Sequence, residues 1–141
     1  YINGAPVAGA GGGGMTITNA YAWFVDAGTT RLDGRVLKTQ GADVASANNL
    51  TLGADGNSFE ITAATQINAI TTTGWQNGSC VTLLFTSTPT VKYNTTGGAG
   101  TAVILLAGAV DFVASAGDTL TLLLSEIGGT QAWREISRAA I

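Results

Sequence analysis

Histidine is absent from these 141 residues, cysteine occurs once, and charged side chains make up only 11% of the chain. Each shortage closes off a class of function. Without histidine, acid–base chemistry near neutral pH loses its usual group, and any catalytic centre has to rest on carboxylates. Cys80 is the sole cysteine, which excludes an intramolecular disulfide. Its place before Val81-Thr82-Leu83 makes it a small apolar residue embedded in a strand. Six basic against nine acidic side chains is too little positive charge for a nucleic-acid groove. No apolar run reaches the roughly eighteen residues of a membrane-spanning helix. Neither nucleic acid nor membrane is therefore an expected partner, and no cofactor is expected. Ordinary soluble domains carry roughly 25% charged residues. A deficit this large points to a surface that is partly covered by something else.

What is present is turn chemistry at short intervals. From Gly53 onward, Gly, Asn, Ser and Pro clusters recur about every ten residues, the spacing of an all-β sandwich or barrel. Strands are expected at 50–52, 58–62, 66–71, 80–86, 90–94, 102–106, 119–124 and 132–137. Phe59, Ile61, Ile67, Ile70, Val81, Leu83, Phe85, Val103 and Leu105 form the predicted core. No segment has a 3.6-residue apolar period, and threonine-rich, β-branched composition opposes helix. The predicted fold is all-β, a jelly-roll-like antiparallel β-sandwich of about eight strands over residues 48–141.

Two pieces precede it. Residues 1–14 are a Gly/Ala-rich arm ending in Gly11, Gly12, Gly13 and Gly14, too poor in side chains to offset its own ordering entropy. It reads as a flexible linker or as a strap on a partner, where glycine permits close backbone approach. Residues 15–47 form a short β connector and linker. Tyr21, Trp23 and Val25 share one strand face there, an aromatic stripe too large for so few residues to bury. A neighbouring subunit or the main domain is the expected cover.

Gly117 to Arg138 reads as a closing hairpin. Leu120, Leu122 and Leu124 alternate with Thr119, Thr121 and Leu123, and Gly128-Gly129 supplies the turn. In the second arm, strict alternation sets Trp133 and Glu135 against Arg134, Ile136 and Arg138, so neither face is cleanly apolar. Either a bulge shifts the register, or both faces are covered, one of them by another copy; we expect the second. Trp133, Arg134, Glu135 and Arg138 then join Tyr21, Trp23 and Val25 at a subunit interface, with an Arg–carboxylate pair between copies.

Other constellations are weaker. Asp111 with Asp118, or Asp55 with Glu60, has the residue types of a glycosidase pair, but Asp55 and Asp118 occupy ordinary turn positions. No enzymatic activity is expected. Trp75 and Trp133 read either as packing anchors or as a sugar-stacking platform.

Four stretches carry a resemblance: Gly74-Trp75-x-x-Gly78, Val81-Thr82-Leu83-Leu84-Phe85, Gly117-Asp118-Thr119-Leu120-Thr121-Leu122 and Trp133-Arg134-Glu135-Ile136-Ser137-Arg138. Together they resemble the C-terminal β-domain of tailed-bacteriophage fibre and head-decoration proteins. The resemblance implies a non-enzymatic virion structural part, a homotrimer contacting other capsid or tail proteins. A carbohydrate-binding, lectin-like sandwich that meets a host-surface glycan, or a jelly-roll shell subunit, are the alternatives.

Overall fold

The hairpin at the end of the chain forms as the turn chemistry requires. In the computed structural model, which describes residues 33 and 36–141, Gly128 and Gly129 take φ of 61° and 78°. Two successive left-handed residues make the turn whose twist matches that of the strands it joins. Those strands are β9 (Thr119–Ile127) and β10 (Thr130–Ala139), paired from Thr130↔Ile127 at the turn to Ala139↔Thr119 at the far end. Leu120, Leu122 and Leu124 are fully buried, and the residues between them are half-buried.

Eight further strands complete the fold: β1 (Val44–Ala45), β2 (Asn49–Leu50), β3 (Ser58–Thr62), β4 (Ala69–Thr71), β5 (Cys80–Phe85), β6 (Thr90–Val91), β7 (Thr101–Leu105) and β8 (Phe112–Val113). Among the described residues, helix is confined to a 3-10 turn at Ala107–Ala109. The main sheet has eight strands in the order β1-β3-β5-β9-β10-β7-β4-β2, and β6 and β8 form a second, two-stranded sheet. Laid flat, the ends of the large sheet would stand about 30 Å apart. Yet Leu50 from one end and Phe59 and Ile61 from near the other belong to one buried cluster. The sheet is therefore curled around its core, as an all-β, jelly-roll-like fold.

Three expectations change. The sheet is mixed, not antiparallel: β1 with β3, β3 with β5, β2 with β4, and β7 with β10 run parallel. The cause lies in the path of the chain, because β1, β3 and β5 fall in one half of the sheet while β2, β4 and β7 fall in the other. Only β9 and β10 are both consecutive and hydrogen-bonded. Second, the linker expected before residue 48 is part of the fold. The compact unit runs Leu37–Ile141, the Gly41 N–H donates to Ser58 O at 2.9 Å, and Val44 pairs with Ile61. Third, Val103 and Leu105 are only half-buried, while Ala102 and Ile104 enter the core. The run Ala102-Val103-Ile104-Leu105 is apolar throughout, so alternation gives no phase. Pairing with β10 sets it by placing Ile104 beside Trp133.

Trp133 is the anchor of the closed fold. It is fully buried, its indole N–H donates to Ile70 O at 3.3 Å, and Trp75 stands edge-on to it at 5.8 Å. The small sheet of β6 and β8 adds Val91 and Phe112 to the core, and Phe112 meets Phe85 edge-on at 5.9 Å.

Candidate functional site

At the far end of β10 the register shifts between Glu135 and Ser137, so that Glu135 opposes Leu122 while Arg138 opposes Leu120. Ile136 is the extra residue and is exposed. Residues three apart in a regular strand point to opposite faces. The bulge instead brings Glu135 and Arg138 to the same, core-side face. There the guanidinium grips the carboxylate with both prongs: Nε donates to Oε1 and Nη2 to Oε2, each at 2.6 Å. The Ala107 N–H donates to the same carboxylate at 2.7 Å, and the guanidinium lies 4.8 Å over the Phe112 ring. The Arg138 bond holds the Glu135 carboxyl below its ordinary pKa despite burial; Glu135 in turn raises that of Arg138.

These contacts correct two interface expectations. The Arg–carboxylate pair forms within one chain, closing the rim of the core, and does not wait for a second copy. Trp133 has no surface left to offer a neighbour, nor can it join Trp75 in a sugar platform. The bulge, not a cover on both faces, resolves the mixed pattern of β10. Arg134 differs from both: it is half-buried on the other face, where its Nε donates to Ser125 Oγ at 2.7 Å.

That other face is the outer surface of the large sheet. The register gives its rows: Glu60, Leu84 and Thr119 in one; Ser58, Thr82, Thr121 and Ser137 in the next; Cys80, Leu123, Arg134 and Leu105 in a third. Thr82 and Thr121 share a hydroxyl–hydroxyl hydrogen bond at 3.2 Å. Cys80 stands in a strand, as expected, at the exposed start of β5. Leu84, Leu105, Leu123 and Val103 are all half-buried. Within these three rows Glu60 and Arg134 are the only charged side chains. Sequence reasoning noticed Glu60 only as a carboxylate and did not see the face. The signal was there in the strand phase, since Phe59 and Ile61 pointing inward leave Ser58, Glu60 and Thr62 outside.

A cleft of about 390 Å³ lies at one end of the sandwich, lined by Lys38, Thr39, residues 52–57 and residues 73–75. Its walls are held tightly. Asp55 Oδ2 accepts the Ala42 N–H at 2.7 Å, Asn57 Nδ2 donates to Cys80 O at 2.9 Å, and a Cβ on Gly56 would stand 2.4 Å from Gly41 N. Trp75 is partly exposed there and rests edge-on against Phe59 at 6.4 Å. Two of the other carboxylates singled out from the sequence, Asp118 and Asp111, are also engaged. Asp118 is buried and accepts the N–H groups of Ser115 and Ile141 at 2.8 and 2.9 Å. Asp111 accepts the Tyr93 N–H at 2.8 Å and pairs with Lys92; that pairing, with the Tyr93 bond, lowers its pKa.

Tyr21, Trp23 and Val25, like Gly11, Gly12, Gly13 and Gly14, lie outside the described residues. No known protein family, curated protein or solved structure matches this chain.

Proposed function

We propose that this chain is a non-enzymatic structural part of a tailed-bacteriophage particle, a homotrimeric module of head decoration, head fibre or tail fibre. The observation that carries this reading is the outer face of the eight-stranded sheet, whose rows set half-buried leucine beside threonine and serine with one acid and one base. A face of that composition suits contact with protein better than contact with water. The four stretches that resemble phage structural domains support it too. They supply most of β5, the first part of β9, more than half of β10 and the turn carrying Trp75, which are neighbours in the fold.

The test is the mass of the purified chain in solution, by size exclusion with light scattering. The expected result is a closed trimer of about 43 kDa, three times the 14.2 kDa of one chain. A monomer at every concentration would overturn the reading, and an open lattice would point to a shell subunit.

The Trp75 cleft favours a second reading, recognition of a host-surface glycan. It combines one aromatic ring with Lys38, Asp55 and Asn57 in a pre-formed volume of ligand size. A melting shift of the monomer with an oligosaccharide panel, lost in Trp75→Ala, would support that alternative.

A further inference from the structure

We infer that Glu60 and Arg134 pair between copies of the chain, one flank of the outer sheet face meeting the opposite flank of the next copy. This rests on the reading of the chain as a self-assembling part. Glu60 lies on β3 and Arg134 on β10, with β5 and β9 between them. Three strand spacings amount to about 14 Å, before the offset of their rows along the strands is added. The two side chains do not meet within one chain, and neither makes an ion pair among the described residues. Ser125 takes only the Nε of Arg134, which leaves the rest of the guanidinium fork for another acceptor.

Each charge sits beside leucine. Leu84 is the neighbour of Glu60 across the sheet, while Leu123 and Leu105 flank Arg134. The acidic flank is thus the complement of the basic flank, in charge and in apolar surface alike. A face whose one side complements its other fits a head-to-tail contact with an identical copy, the kind that closes into a ring. An anionic partner would engage Arg134 but leave Glu60 opposed, and a cationic one the reverse. In a closed ring of identical copies both are satisfied, Glu60 by the neighbour on one flank and Arg134 by the neighbour on the other.

The experiment is a charge swap, read as mass in solution. Glu60→Arg and Arg134→Glu should each dissociate the assembly, raising the concentration needed for half-association at least tenfold. The double variant should return it to the wild-type mass. Circular dichroism checks that each variant is folded, and Glu60→Gln with Arg134→Gln replace any swap that is not. Cys80, exposed in the single chain and paired with Leu123, supplies a second readout: maleimide labelling should be slow in the assembly and fast in the dissociated single variants. Single variants that keep the assembled mass would overturn the pair while leaving self-assembly standing. Dissociated singles with no recovery in the double would overturn it as well, since the charges would then act on different groups. A wild-type chain that stays monomeric would remove the assembly itself, and the pair with it.

Discussion

The two faces of the large sheet are built from the same strands, residue by residue in alternation, yet they carry opposite chemistry. Inside stand Phe59, Ile61, Val81, Leu83, Phe85, Leu120, Leu122, Leu124 and Trp133, all essentially inaccessible to water. Outside stand threonine, serine, a few leucines and two lone charges. Burial decides the first face, because each fully buried aliphatic or aromatic side chain contributes about 1.5 to 3 kcal/mol. The second face contributes little to folding, so its composition is free to serve contacts. Strand β10 shows how sharply the line is drawn. Trp133 belongs to the inside, Arg134 to the outside, and a single extra residue at Ile136 returns Arg138 to the core side, where Glu135 receives it.

The contrast can be broken most severely at Trp133. Trp133→Ala should cost about 3 to 5 kcal/mol, because it empties the centre of the core and leaves Trp75 without its neighbour. Chemical denaturation measures this, and a loss under about 1 kcal/mol would mean that the inner face does not hold the fold.

Glu135→Ala should rank next. It strands a half-buried arginine and the Ala107 N–H, at a cost of about 2 to 3 kcal/mol, below the figure for a fully buried pair because Arg138 remains partly in water. Since the pair is internal to one chain, the fall in melting temperature should not depend on protein concentration. The pH dependence follows from the lowered carboxyl pKa. Glu135 contributes fully above its ordinary value of 4.5, and its contribution is lost as the pH falls through the lower value of the folded state. The gap between wild type and variant should therefore close only in acid, below that range. A gap that closes above pH 5 would contradict the pairing.

The smallest effect is expected on the outer face. Leu123→Thr should change the stability of the single chain by less than about 1 kcal/mol, whereas Leu122→Ala, one residue away on the inner face, should cost about 2 to 5 kcal/mol. Equal losses at the two positions would erase the distinction between the faces.

Much of this was legible before the structure. The strand at 58–62, the strand at 80–86 (one residue shorter in the structure), the closing hairpin and the inward phase of Leu120, Leu122 and Leu124 follow from period-two alternation between turn residues. The Trp75 and Trp133 anchors follow from aromatic size. Where every residue of a strand is apolar, as in Ala102 to Leu105, alternation is silent and the phase was misread. The two-residue strands at Val44–Ala45 and Phe112–Val113 left no pattern long enough to see. The outer face was missed because a pair of opposite charges on strands 74 residues apart (134 − 60) has no local signature.

The sequence by itself determined that the chain is β-structured, that its hairpin turns at two glycines, and which side of that hairpin faces inward, because turn conformation and side-chain alternation are local properties. Only the tertiary structure decided which strands lie side by side and in which direction, since almost every pairing joins strands distant in the chain and hydrogen bonds between backbones carry no residue identity. It also decided the place of the bulge in β10. That one unpaired residue turns Glu135 and Arg138, which the sequence reads as opposite in facing, into a single clasp at the edge of the core.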